Sequence, residues 1–190
     1  MTVDEIFATV GTHMVKGLMI HEELANYYDF LGLKGYSKCH EYHYMTESCT
    51  FRKLNRYYID HYNSLIPNMK VETPEVIPAS WYRYERNDVD TNTKRTAVKN
   101  GLEMWVNWER ETKQLYEQMY SELMRIGEVS TAVNLFSCFI KDVDDELKRA
   151  YKASLNKKST GYDINAIESE QYHKYHKYKE KLDNFGEHLY

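Results

Sequence analysis

Apolar residues recur at helical spacing along most of this 190-residue chain. From residue 3 to about 33, Ile6, Val10, Ile20, Leu24, Tyr28 and Leu31 fall at intervals that a strand's period of two does not produce. Gly32 and Gly35 punctuate this first predicted helix. A second is predicted over about 36–66, with Tyr36, Leu54, Tyr58 and Leu65 on one side and a stop near Pro67. The third, about 93–126, aligns Val98, Leu102, Trp105, Tyr116, Met119 and Leu123 and ends at Gly127. A fourth, about 129–154, presents Val133, Phe136, Ile140, Val143 and Leu147. Residues 67 to about 92 hold all three prolines and no period, which predicts a long connection crossing over the fold, packed through Val71, Val76, Ile77 and Trp81. Asp163 is a candidate N-cap for a shorter helix over about 164–186, with Ile164, Ile167, Tyr175, Tyr178, Leu182 and Phe185 as its seam.

These elements predict an all-α protein in which residues 1–155 form an up-down four-helix bundle of two antiparallel hairpins joined by a long crossover. Residues 156–190 then supply a linker and a C-terminal docking or oligomerisation helix. In that helix "YHKYHKYK" alternates Tyr172, His173 and His176 with lysines, which suits a docked or oligomer-forming surface helix better than a metal or nucleic-acid motif.

Composition narrows the class. Three prolines and eight glycines are too few for the turns of a sandwich or barrel. The net charge of −4 is mild and the basic residues are scattered in sequence, so no footprint for nucleic acid is present. No apolar run reaches the roughly 18 residues of a membrane helix. The amino-terminal "MTVDEIFATVG" is acidic where a signal peptide is basic. A soluble, cytoplasmic protein with no membrane partner is expected. Cys39, Cys49 and Cys138 are odd in number and lack CxxC spacing, which predicts buried free thiols. No Gly-x-Ser-x-Gly, P-loop or dinucleotide glycine pattern points to a nucleophilic or nucleotide-binding enzyme.

Candidate chemistry lies on the second helix. At 100° per residue, Tyr36, His40, His43, Glu47, Thr50, Tyr58, His61 and Leu65 fall within about 40° of Leu54. The line faces inward. A single core histidine such as His13, His21 or His61 reads most simply as a hydrogen-bonded packing residue. His40, His43 and Glu47 together are a different object, because a buried carboxylate requires a partner charge or a metal ion. A reversal near residue 35 would place Glu23 and Glu47, each about 12 residues or about 18 Å away, at one level on antiparallel helices. In the second hairpin Glu109 lies 18 residues before Gly127, and the same distance onward reaches Asp145 and Glu146, of which Glu146 borders the apolar side. Each hairpin offers one opposed pair of carboxylates.

Two stretches carry a resemblance. "ELANYYDFL", Glu23 to Leu31, is similar to the first-helix pattern of ferritins, with Glu, Leu, small residues and spaced tyrosines. "LEMWVNWERETKQLYEQM", Leu102 to Met119, resembles their third-helix segment with Glu109 at the liganding glutamate. The chain resembles a divergent member of the ferritin-like superfamily, which implies a bundle holding a pair of iron ions that react with oxygen or peroxide. On this resemblance Glu23 and Glu109 are terminal ligands and Glu47 a bridging one. The sequence departs from the pattern at Thr50, where Glu-x-x-His would place a histidine, at Val143, near an expected Gln or Glu, and at Phe30, in place of a frequent tyrosine.

Three outcomes are open. His43 supplies the missing nitrogen, with His40 or Glu146 completing a set suited to iron, manganese or zinc; or one metal position survives; or the cluster is a hydrogen-bonded relic or a water-filled pocket. The expected function is metal binding, with iron oxidation or storage at a remodelled site, in a homo-oligomer. The alternative is a metal-free bundle serving as an assembly or interaction module, favoured by the eighteen tyrosines and by Ile20, Tyr27 and Phe30, which widen the apolar arc of the first helix.

Overall fold

A reciprocal cap starts the chain. The Thr2 hydroxyl accepts from the Glu5 amide at 3.2 Å while the Glu5 carboxylate accepts from the Thr2 amide at 2.8 Å, and α1 runs from there over Val3–Phe30. The computed structural model describes residues 1–70 and 89–185. Gly32, at φ 73°, takes the left-handed conformation that reverses the chain, and α2 follows at once over Lys34–Tyr62. α2 stops on a left-handed Asn63, before Pro67, so that Leu65 lies beyond the helix and is 74% exposed. His61, expected on the inward line, is exposed and stacked on Tyr57.

Asp90 caps α3, Thr91–Arg125, by accepting from the Thr93 amide at 2.7 Å. Gly127, at φ 87°, ends it as the sequence predicts. The next rod departs from expectation. A single turn, α4 (Val129–Thr131), leads into a π-helical turn over Ala132–Phe136 before α5 resumes over Ser137–Ser159. The wider turn changes the helical phase. Phe136 and Val143 remain buried, but Ala132, Leu135 and Phe139 join them, while Val133 is 48% exposed. α5 also continues past residue 155. Asp163 accepts from the Asn165 amide at 2.9 Å at the start of α6, Ile164–Phe185.

α1 packs on α2 and α3 on α5, and the two hairpins meet where α1 contacts α3. One apolar cluster, at the α1–α2 turn end, joins Leu24, Tyr28 and Leu31 to Tyr36, Val98, Leu102 and Ala150. A second, at the N-terminal end, joins Phe7 and Val10 to Leu54, Met119, Phe136 and Phe139. α2 therefore ends at the N-terminal end while α3 begins at the turn end, so the connection between them links opposite ends of the four-helix bundle and the two antiparallel hairpins are joined with α2 and α3 running the same way. Residues 71–88, with Val71, Val76, Ile77 and Trp81, lie outside the described residues. Ile20 and Tyr27, expected to mark a subunit contact, are buried in the first cluster, and Phe30 packs against it. Of the three free cysteines, Cys39 is buried and Cys49 is exposed. α6 lies across α2 and α3, its Gln171 backbone seated over Gly35, where any Cβ would collide with it.

Gly101 sets the spacing of α1 and α3. A Cβ there would overlap the hydroxyl of the fully buried Tyr28, which donates to the Ala97 carbonyl at 3.3 Å. Gly101→Ala should lower unfolding stability by about 1–3 kcal/mol despite the better helix propensity of alanine. Adding Tyr28→Phe should recover part of that loss in denaturant melts.

Candidate metal centre

A polar layer separates the two apolar clusters, and α1 supplies its central group. The inward row of that helix, Phe7, Val10, Met14, Gly17, His21, Leu24 and Tyr28, steps by threes and fours and includes position 21. Glu23 is off this row and half-buried. The hairpin register explains the difference from expectation. The chain reverses at Gly32 rather than near 35, so Gly17 stands level with Glu47 and His21 with His43. A Cβ on Gly17 would lie 2.8 Å from Glu47 Oε2, and the His21 and His43 rings stack at 5.3 Å.

Among the described residues, the ligand atoms of His21, Glu47 and Glu109 lie within 4.8 Å of one another. His21 Nε2 is 3.2 Å from Glu47 Oε1. His21 is fully buried, and its Nδ1 meets His40 Nδ1 at 2.9 Å, so one of these nitrogens donates and the other accepts. Glu109, only 4% exposed, accepts from Trp105 Nε1 at 2.9 Å. Glu146 approaches from α5, its Oε2 3.7 Å from His43 Nδ1, and its other oxygen is gripped by Arg149. Glu47, Glu109, Glu146 and His43 all line a cavity of about 250 Å³, together with Thr50 and Tyr116.

Of the six candidates, Glu47 and Glu109 thus come together directly. Glu146 and His43 border them, His40 contacts the cluster through His21, and Glu23 stays apart. His21, expected as a hydrogen-bonded packing residue, instead brings a ring nitrogen to the cluster. The signal that singles it out is its place in the three-and-four row of α1, level with His43 once the turn is set at Gly32.

The electrostatics are those of a site with acid in excess. Burial would lower the His21 pKa, but Glu47, Glu109 and Glu146 outweigh it and raise the pKa on balance. Burial and then His21 itself hold His40 and His43 well below the usual range. Burial, followed by Glu47, pushes Glu109 up to about 8. His13, stacked on Trp108 at 4.1 Å and bonded to Thr112 at 2.8 Å, is lowered to about 4 by burial and Lys16, and closes the layer as a neutral ring.

His21 Nε2 meets only the Glu47 carboxylate, in an ion pair at 3.2 Å, and three further polar atoms here are buried without a hydrogen-bond partner: Glu47 Oε2, His43 Nε2 and Glu146 Oε2. Such atoms are costly in a folded interior unless something else engages them. One imidazole nitrogen and two carboxylates form a donor set that suits iron, manganese or zinc, and Gly17 lets Glu47 and Trp108 close against α1. The residues present fit a divalent ion.

No protein-family profile and no curated protein matches the sequence. Solved structures do. A humanized archaeal ferritin superposes with a TM-score of 0.72 over 90% of this chain and 94% of that chain, at 15% identity. A closed form of the Archaeoglobus fulgidus ferritin, engineered by site-directed mutagenesis, gives 0.73 over 92% and 96%, at 14% identity. Likeness at such identities concerns the path of the backbone, and together with the helix order it shows that this chain has a divergent ferritin-like, all-α bundle fold.

Proposed function

We propose that this protein binds a divalent transition-metal ion inside its bundle, with iron as the favoured ion and iron oxidation or storage as its use. The observation that carries the reading is the convergence of His21, Glu47 and Glu109 from three different helices on one point between two apolar clusters. His21, Glu47 and Glu109 hold the ion through one nitrogen and two carboxylates. With Nδ1 donating to His40, His21 keeps its Nε2 lone pair directed at the carboxylates, a common way to fix a liganding imidazole. Trp105 holds Glu109 in place. His43 and Glu146 border this position as an incomplete second one, so the preferred stoichiometry is one tightly held ion per chain. Bound iron would supply electrons to oxygen or peroxide. On this reading the protein acts as a homo-oligomer.

Titration of the metal-free chain with ferrous iron or zinc under nitrogen, followed by elemental analysis, tests this. One equivalent should bind tightly. Glu47→Ala, Glu109→Ala and His21→Ala should each weaken binding at least tenfold, whereas Glu23→Ala should not. No tight equivalent in the wild type would leave the bundle as a metal-free interaction module, and binding unchanged in all four variants would place the ion away from these residues. Ferrous oxidation in air, followed by absorbance, then separates redox use from simple retention.

Gly17→Ala gives an independent check. Alanine favours a helix by up to about 1 kcal/mol over glycine, but its methyl group would press on Glu47 and Trp108. Metal affinity should fall at least tenfold while the helical circular dichroism is kept.

The pH dependence follows from Glu109. Its folded pKa of about 8 lies above the ordinary carboxyl value, so the folded state holds this proton more tightly than the unfolded state does. In the metal-free protein this contribution to stability is complete below the ordinary carboxyl range and is lost as pH rises through about 8. Glu109→Gln should therefore flatten the decline in Tm between pH 5 and 9 while abolishing tight metal binding. The wild type should release a proton on binding metal at pH 7, measurable with an indicator dye.

A further inference from the structure

The motif "YHKYHKYKEK" in α6 takes on a second meaning once the helix is docked. Lys174, Lys177, Tyr178 and Lys181 recur at three- and four-residue steps and lie on one face. On α5, Arg149 and Lys152 are spaced in the same way. The two basic rows line a cavity of about 500 Å³, walled elsewhere by Tyr42, His43 and Trp105.

A chain with a net charge of −4 therefore brings five cationic side chains to one concave surface. Counter-charge there is scarce. The one lining carboxylate, Glu170, is taken up by the buried Lys157 and by Lys174 at 3.4 Å. Glu146 is engaged by Arg149. Lys181 and Lys177 are instead held over aromatic faces, Lys181 at 4.5 Å from the Tyr42 ring and Lys177 at 5.2 Å from the Tyr178 ring. Such contacts orient an ammonium group without neutralising it. Lys152 has no ion-pair partner among the described residues. Burial and then Lys174 hold Lys157 below its usual range. His43, nearly fully buried, lines the same cavity with its Nε2 lacking a partner.

Like charges facing one another across a concave wall repel, and an anion placed between them adds attractive terms that offset the repulsion. The volume exceeds what a lone phosphate fills and is that of a small-molecule pocket. We propose that the cavity between α2, α5 and α6 binds a small organic or condensed polyanion carrying two or more phosphate or carboxylate groups, contacted by Arg149, Lys152, Lys174, Lys177 and Lys181. Binding here does not require metal in the proposed centre.

Calorimetric titration of the metal-free full-length chain with citrate and with pyrophosphate, at 150 mM salt, tests the proposal. Saturable one-to-one binding of at least one probe is expected, and the tighter probe identifies the preferred acid group. Lys152→Glu combined with Lys177→Glu should weaken it at least tenfold. The control, Arg56→Glu combined with Lys99→Glu, imposes the same change of net charge on exposed residues outside the cavity and should leave affinity within twofold. Absence of saturable binding for both probes, or equal losses in the two double variants, would overturn the proposal. Glu47→Gln with Glu109→Gln, which removes the metal ligands, should keep the anion affinity. Loss of binding in that variant would move the anion into the polar layer and overturn the assignment.

Discussion

Buried acid in the middle of an apolar bundle is the constraint to which the rest of the structure answers. Glu47, Glu109 and Glu146 share one layer, and a low-dielectric interior tolerates so many carboxylates only with compensation. Part of it is internal. His21 is drawn toward its charged form, Glu109 toward its neutral one, and Trp105 donates to Glu109. These adjustments still leave His43 Nε2 and oxygens of Glu47 and Glu146 without hydrogen-bond partners. The two flanking clusters, rich in Phe, Leu and Tyr, hold the layer in place from above and below. Stability resides in them, and chemistry in the plane between.

What could be read from the sequence depended on the range of the information. Inward faces are local properties, set by side-chain periodicity, so Ile6, Val10, Leu24 and Tyr28 on α1 and Val98, Leu102, Trp105 and Leu123 on α3 are buried as predicted. Caps are equally local, which is why Gly127 and Asp163 stand where expected. Register between helices is not local. Moving the reversal from about residue 35 to Gly32 changes the partner of any residue by twice that displacement, which removes Glu23 from the level of Glu47 and brings Gly17 and His21 there instead. The π-helical turn at Ala132–Phe136 was hidden for another reason: it alters helical phase without any proline or glycine to announce it. Glu109 and Glu146 share one layer, as counting from Gly127 predicts, because that turn does lie where the glycine stands.

α6 shows how tertiary structure can gather what the sequence disperses. Basic residues scattered at one per few positions carry no electrostatic signature along the chain. Docking α6 across α2, with Gly35 admitting the Gln171 backbone, turns one face of the helix toward Arg149 and Lys152 of α5 and concentrates their fields.

The acidic layer and the basic cavity share His43 and Arg149 as a common wall, with the Arg149–Glu146 ion pair lying across it. Coulomb interactions over such short, partly buried distances are screened far less than those between surface charges. With both proposed sites filled, a cation at His21, Glu47 and Glu109 would relieve Glu146 of excess negative neighbours, and an anion at Lys152 and Lys177 would relieve Arg149 of excess positive ones. Each occupant would then strengthen the field that holds the other, and thermodynamic linkage would make that assistance equal in both directions. The wall itself need not move for this to happen. Opposite charges placed on its two faces would suffice, coupling two unlike ligands through one histidine and one ion pair.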